Sequence, residues 1–299
     1  MKIFSGTSNK PLAEKIARSL EIQLSPLEVH IFPDGERRVR VEADVVDQDV
    51  VIVQSTSIPV DQNYMELFFL IDAAKRNGAS FVTVVVPYIG YQRQDHIFRS
   101  GEAVSMEVIA RILDSLGVGK IIALDLHTIK IPEFFSIPFE EVSALPIFAE
   151  FIRGLGVENS VLVSPDMGGQ RRINILSELL EGMPYIATVK DRDLQSGTIQ
   201  MSGIEGILPK DTKKAFIVDD MISSGNTIVQ SANLLKSLGI EEIYVFATHV
   251  IFSDHAPTHL QESLVQRVYV TDSVFIPKEK KFEKLEVFSV AALIAQHLK

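Results

Sequence analysis

Phe216-Ile-Val-Asp-Asp-Met-Ile-Ser-Ser-Gly-Asn-Thr-Ile228 is the stretch that decides the fold. Phe216 to Val218 is a short apolar run and reads as a buried strand. Asp219 and Asp220 stand where that strand is expected to end. A loop of small residues follows, Ser223, Ser224, Gly225, Asn226 and Thr227, and then an amphipathic helix. The first N–H groups of a helix lack intrahelical partners and lie at the positive end of its dipole, so they suit a phosphate. Two carboxylates just upstream suit hydroxyl groups or a metal ion. A phosphate at one end and a diol at the other describe a sugar phosphate. Ser, Gly and Asn also occur in plain turns and helix caps. The Asp pair is what such a turn does not require.

Working outward, strands and helices alternate. Apolar runs predict strands at Lys2–Phe4, Val29–Phe32, Arg38–Val41, Val50–Gln54, Phe81–Val86 and Ile121–Leu124. Others follow at Val161–Ser164, Tyr185–Val189, Ile243–Thr248 and Val268–Thr271. Helices are expected from near Leu12, Asp61, Ser105, Leu145, Gln170, Ile228, Thr258 and Val290. This pattern implies an α/β fold with mainly parallel sheets flanked by helices. An internal echo suggests two similar halves. Val51–Ser57 leads through a helix stopping at Gly78 to a strand, and Phe216–Ile222 does the same through Gly239. The halves are expected at residues 1–143, joined by a final helix within 285–299, and at residues 144–284.

The chain has 299 residues, enough for two cores. Its net charge of −10 argues against broad nucleic-acid binding, and no run is apolar enough to span a membrane. There is no Cys, which removes disulfides and thiolate metal sites. Met1-Lys-Ile-Phe-Ser-Gly6 lacks a signal-peptide core. A cytoplasmic protein is the expectation.

Further polar clusters follow the predicted strands. Phe32-Pro-Asp-Gly-Glu36 is either a plain hairpin turn or a place where Asp34 and Glu36 meet ligand donors and Phe32 offers a stacking face. Pro87-Tyr-Ile-Gly-Tyr-Gln-Arg-Gln-Asp95 opens an apolar strand directly into Arg93, which can pair with phosphate; alone, the segment equally suits a solvated loop. His127 follows another strand, and by chemistry alone is a structural histidine. Asp166, in Ser164-Pro-Asp-Met-Gly-Gly169, stands before two glycines that permit close backbone approach to a ligand. Lys190-Asp-Arg-Asp-Leu-Gln-Ser-Gly197 is either a solvated hairpin or a cationic lid.

In this order, these segments together with Gln54-Ser-Thr-Ser57 resemble ribose-phosphate pyrophosphokinase, a family of two phosphoribosyltransferase-like domains. The resemblance implies transfer of the β,γ-diphosphate of Mg-ATP to the 1-hydroxyl of ribose 5-phosphate, with AMP released. It implies ATP contacts at Phe32, Asp34, Gly35, Glu36, Arg93, Gln94, Asp95 and Arg99. Magnesium positions would be His127 and Asp166, overriding the bland reading of the histidine. Asp219 and Asp220 would hold the ribose hydroxyls, and Ser223, Ser224, Gly225, Asn226 and Thr227 the 5-phosphate. Lys190 and Arg192 match residues that stabilise the transition state. A homo-oligomer with its ATP site between subunits is implied as well. The chain departs from the pattern in three places. Arg99 is the only strongly basic residue of His96–Gly101, Ser223 stands where Asp is common, and Asn226 stands where Gly is common. Asn tolerates a left-handed backbone, so the cradle is expected to survive. Two other readings compete: a phosphoribosyltransferase, which needs neither the Phe32 nor the Arg93 cluster, and a non-catalytic regulatory relative.

Overall fold

The computed structural model describes residues 1–192, 199–253 and 255–299, and of residues 190–192 and 199–202 the backbone alone. In chain order the elements begin with β1 (Lys2–Ser5), α1 (Lys10–Ser19), β2 (Leu27–Ile31), β3 (Arg37–Val41), β4 (Asp49–Val53) and α2 (Val60–Arg76). Then come β5 (Phe81–Val86), α3 (Ser105–Ser115), β6 (Lys120–Leu124), β7 (Phe139–Val142), α4 (Leu145–Leu155), β8 (Ser160–Ser164) and α5 (Gln170–Leu179). The rest are β9 (Tyr185–Arg192), β10 (Ile199–Glu205), β11 (Lys214–Ile222), α6 (Asn226–Ser237), β12 (Glu242–Val250), α7 (Ala256–Glu262), β13 (Arg267–Thr271), β14 (Leu285–Phe288) and α8 (Ala291–Gln296).

Two compact units result: Met1–Val142 with Asp272–Phe275 and Ser289–Lys299, and Ser143–Thr271 with Ile276–Phe288. The first holds a five-stranded parallel sheet in the order β1-β4-β5-β6-β7, with β2 and β3 as a separate antiparallel hairpin. Its strands are β-branched runs such as Phe81-Val-Thr-Val-Val-Val86, which suit a sheet buried on both faces. Helix α2 buries Tyr64, Leu67, Phe68, Ile71 and Ala74, a spacing of three to four that lays one apolar stripe on the core of Ile52, Val84 and Ile121. The final helix α8 packs on α1. Asp272 fastens that end of the unit: its carboxylate accepts from Lys15 Nζ at 2.7 Å and from the Val290 N–H at 2.9 Å.

The second unit holds a seven-stranded sheet, β10-β9-β8-β11-β12-β13-β14, parallel except for the β9–β10 pair. Both faces of β11 are covered. Ala215 and Ile217 join Val163, Val245 and Leu235 on one side, while Phe216 lies against Tyr244 and Phe246 in an aromatic layer. From β8 the chain crosses to β9 on one side, and from β11 to β12 on the other. The crevice beyond the carboxyl ends of β8 and β11 is therefore a topological switch point, where open α/β sheets bind ligands.

Three strands were not foreseen: β7, β10 and β14. All lie at sheet edges. An edge strand is half-paired and carries no continuous apolar run, so only its neighbour in space makes it a strand. A second correction concerns β11, expected over Phe216–Val218. It runs to Ile222, and Asp219 and Asp220 belong to it. Pairing with β8 stops at Ile217, but pairing with β12 continues to Ile222, so the carboxylates stand on a strand that outreaches one neighbour while the other holds it in place.

Candidate functional site

In the second unit, Asp219 and Asp220 sit at the switch point with side chains only 17% and 5% exposed. Arg172, in the first turn of α5, faces both: its guanidinium nitrogens lie 3.5 Å from an Asp219 oxygen and 3.8 Å from an Asp220 oxygen. Burial pushes the Asp219 carboxyl well above the usual range, and the charge of Asp220 adds to the rise. Arg172 opposes it, and the charge of Asp166 pushes the same way as Asp220. Asp166 thus belongs to the same electrostatic neighbourhood. Its Oδ1 accepts the N–H groups of Gly168 at 3.0 Å and Gly169 at 3.2 Å. A Cβ on Gly169 would collide with Ser164 Oγ, so internal packing by itself requires this glycine.

The loop Ser223–Gly225 carries β11 into α6. Gly225 is the N-cap, in the left-handed region at φ 77°, and no side chain among the described residues caps the helix. Its opening N–H groups are left to a ligand or to water. The left-handed position is Gly225 and not Asn226, the first helical residue, so the presumed tolerance of Asn226 for that backbone is not called upon. Ser223 is tied to the neighbouring loop by its Oγ, 3.1 Å from Ser253 Oγ. Ser223, Ser224 and Thr227 are half-buried, and Asn226 is exposed.

Lys190 and Arg192 occupy alternate positions of β9, opposite Met201 and Ile199 of β10. The stretch therefore starts as paired strand rather than loose chain. The side chains of both, and residues 193–198, lie outside the described residues.

In the first unit, Phe32–Glu36 is the exposed turn of the β2–β3 hairpin. Asp34 Oδ1 accepts the Glu36 N–H at 3.1 Å, and Gly35 takes φ 92°. Phe32 meets His30 edge-on and has the Arg38 guanidinium 5.8 Å from its ring centre. The Pro87–Asp95 segment is clamped, not solvated, at its start. Gly90 donates its N–H to Thr56 Oγ1 at 2.7 Å, and the Tyr64 hydroxyl donates to the Gly90 carbonyl at 2.7 Å. Gln92 is buried, and Arg93 and Gln94 then emerge exposed, with Asp95 half-buried and Arg99 exposed beyond them. His127 is exposed, and its backbone N–H donates to Gln92 Oε1 at 3.0 Å.

Two residues escaped the sequence reading, Arg172 and Gln92. A signal for Arg172 existed. Cations disfavour the first turn of a helix, so Arg171-Arg172 behind Gly-Gly called for a nearby anion. Gln92 gave no such signal.

The N-terminal-domain model of ribose phosphate pyrophosphokinase matches residues 1–117, and a phosphoribosyl synthetase-associated domain matches residues 208–299. The ribose-phosphate pyrophosphokinase of Fusobacterium nucleatum is 37% identical, over 99% of this chain and 93% of that protein. That of Bacillus subtilis is also 37% identical, over 99% and 92%. The crystal structure of phosphoribosylpyrophosphate synthetase from Mycobacterium smegmatis superposes with a TM-score of 0.92 at 32% identity, covering 99% of this chain and 97% of that one. With identity at this level running through both units and the backbone following throughout, the chain belongs to the ribose-phosphate pyrophosphokinase family.

Proposed function

We propose that the chain is a ribose-phosphate diphosphokinase: it transfers the β,γ-diphosphate of ATP to the 1-hydroxyl of ribose 5-phosphate, giving phosphoribosyl diphosphate and AMP. The observation that carries this reading is the uncapped N-terminus of α6 directly behind a buried carboxylate pair at the switch point. The 5-phosphate lies on the opening N–H groups of α6 and the hydroxyls of Ser223, Ser224 and Thr227, with Gly225 and Asn226 giving the backbone turn. Asp219 and Asp220 accept from the ribose 2- and 3-hydroxyls, which replace water around the buried carboxylates. Held by both ends, the sugar keeps its 1-hydroxyl in one place, and positioning of this kind is the larger part of catalysis in phosphoryl transfer.

The nucleotide is held by Phe32, Asp34, Gly35, Glu36, Arg93, Gln94, Asp95 and Arg99. The sugar O1 attacks the β-phosphorus, the bond from that phosphorus to the oxygen bridging it to the α-phosphorus breaks, AMP leaves with that oxygen, and the hydroxyl proton passes to solvent. Lys190 and Arg192 place positive charge where the equatorial phosphate oxygens gain negative charge.

Asp166 in the second unit and His127 in the first are each a position that would hold Mg²⁺. The donor chemistry fits: Asp166 offers a hard oxygen in a neighbourhood already rich in carboxylate charge. Among the described residues no group of three or more His, Asp or Glu gathers closely enough to hold a metal ion alone. A cation sharing phosphate oxygens and water with one or two protein groups is the usual mode for Mg²⁺. When bound, it neutralises the β- and γ-phosphate oxygens. The nucleotide site is completed between subunits of a homo-oligomer, in the cytoplasm. Among the described residues no helix is long and apolar enough to cross a membrane.

The test is to mix pure protein with Mg²⁺, ATP and ribose 5-phosphate and to separate the nucleotides. AMP appearing in step with phosphoribosyl diphosphate is expected. ADP in its place means single-phosphate transfer and ends the proposal. No turnover in either sense, with the protein folded, would favour a non-catalytic relative.

A further inference from the structure

Gln92 is only 1% exposed, yet it lies between the exposed Arg93 and Gln94 and an exposed histidine. Its two amide ends behave differently. Oε1 accepts the His127 backbone N–H at 3.0 Å, across from the loop after β5 to the loop after β6. Nε2 is buried with no hydrogen-bond partner among the described residues. Buried donors in native proteins are nearly always matched, so an orphan calls for an acceptor that arrives later.

The turn that Gln92 holds is tightly specified. Asp125, a non-glycine residue, takes φ 31°. Such a backbone persists only where its surroundings over-determine it. The successive N–H groups of Asp125, Leu126 and His127 donate to the Val142 carbonyl, to Glu141 Oε1 and to Gln92 Oε1. Of these three anchors, only Gln92 comes from the segment that also presents Arg93 and Gln94.

We infer that Gln92 is a positioning residue that couples the nucleotide-binding segment to His127, and that its unmatched amide donates to a polyphosphate oxygen, or to a water ordered by it, when the nucleotide binds. This rests on the diphosphokinase reading above. The acceptor Oε1 sets the backbone from which the His127 side chain projects. The donor Nε2 adds a hydrogen bond that exists only in the nucleotide complex.

Two variants separate the halves. Gln92→Glu keeps an acceptor for the His127 N–H but loses the donor and adds negative charge. Gln92→Met keeps the volume and loses both. Binding of a non-hydrolysable ATP analogue with Mg²⁺ is measured by calorimetry, hydrogen exchange of the segment carrying the His127 amide by mass spectrometry, and the KM for each substrate by turnover. For Gln92→Glu we expect a lowered melting temperature from the newly buried carboxylate, wild-type exchange at His127 and about 10- to 100-fold weaker analogue binding, the range for a lost bond to a charged group. For Gln92→Met we expect the same weakening plus faster exchange at His127. In both, the KM for ribose 5-phosphate stays within about twofold. Analogue affinity unchanged in Gln92→Glu overturns the donor role. Exchange at His127 unchanged in Gln92→Met, or an equal rise in both KM values in either variant, overturns the positioning role. If Gln92→Met does not fold, the Gln92→Glu comparison still decides the donor role, and Gln92→Leu replaces Met for the exchange measurement. A wild-type protein that releases no AMP would sink the diphosphokinase reading instead, and the binding and exchange comparison would still decide for or against Gln92.

Discussion

Arg172 lies 3.5 Å from Asp219, and the same guanidinium lies 3.8 Å from Asp220. Alternation along a strand sends neighbouring side chains to opposite faces, yet one planar fork faces an oxygen of each. At these distances the contacts are charge–charge attractions rather than full hydrogen bonds. Arg172 thus offsets the repulsion of the carboxylate pair, and Asp219 Oδ1 also accepts the Asp220 N–H at 2.9 Å.

Arg172→Met keeps much of the packed stem and removes the charge. The carboxylates then lose this counter-ion. Breaking a fully buried pair costs several kcal/mol, but these side chains keep some exposure and long contacts, so we expect about 1–2 kcal/mol of destabilisation. Urea unfolding at neutral pH measures it. A midpoint identical to wild type would show that the guanidinium carries no stabilising role.

Asp219 carries the pH dependence. Its folded pKa is raised above the ordinary value of 3.8, first by burial and then by the Asp220 charge. Between the ordinary value and the raised one, the native state holds a proton that the unfolded chain has lost. Stability from this group therefore falls as pH climbs through that window. Asp219→Asn should flatten the slope and melt higher than wild type at neutral pH, while losing activity. Melting curves from pH 4 upward decide it, and a slope no flatter than that of wild type would remove Asp219 as its source.

Gly225→Ala puts a Cβ on a residue at φ 77° and 3.3 Å from Leu260 Cγ. A left-handed alanine costs about 1–2 kcal/mol. Because the strain falls on the residue that aims the first N–H groups of α6, the KM for ribose 5-phosphate should rise well above tenfold while that for ATP changes little. Steady-state kinetics with each substrate varied in turn measures both, and equal changes would mean that the loop is not the sugar-phosphate cradle.

Lys190→Ala should lower kcat by about 10²–10³, the usual effect of losing one donor to transition-state charge. Neither KM should move comparably. Loss of ground-state binding in the same proportion would assign Lys190 to holding a substrate instead.

Much of the central framework was legible because it is locally encoded. Phe81–Val86 and Phe216–Val218 are apolar and β-branched or aromatic without a break, and such runs become buried parallel strands whatever surrounds them. Gly78 and Gly239 stop helices through their own backbone freedom, at φ 91° in both. The edge strands β7, β10 and β14 were not legible, since Phe139-Glu-Glu-Val142 and Leu285-Glu-Val-Phe288 mix charge with apolar residues and are strands only because a neighbour offers them hydrogen bonds. In the candidate site, the residue types and their order were visible, but their electrical state was not.

The sequence by itself determined the alternation of strand and helix and the family to which the order of motifs points. These follow from hydrophobic period, backbone freedom and side-chain chemistry, all properties of a few adjacent residues. Tertiary structure decided that β11 outreaches β8, that Arg172 attends two carboxylates from another element, and that Gln92 joins His127 across 35 positions of the chain with its amide nitrogen unmatched among the described residues. Burial and through-space charge depend on which segments meet, and no local stretch of sequence carries that information.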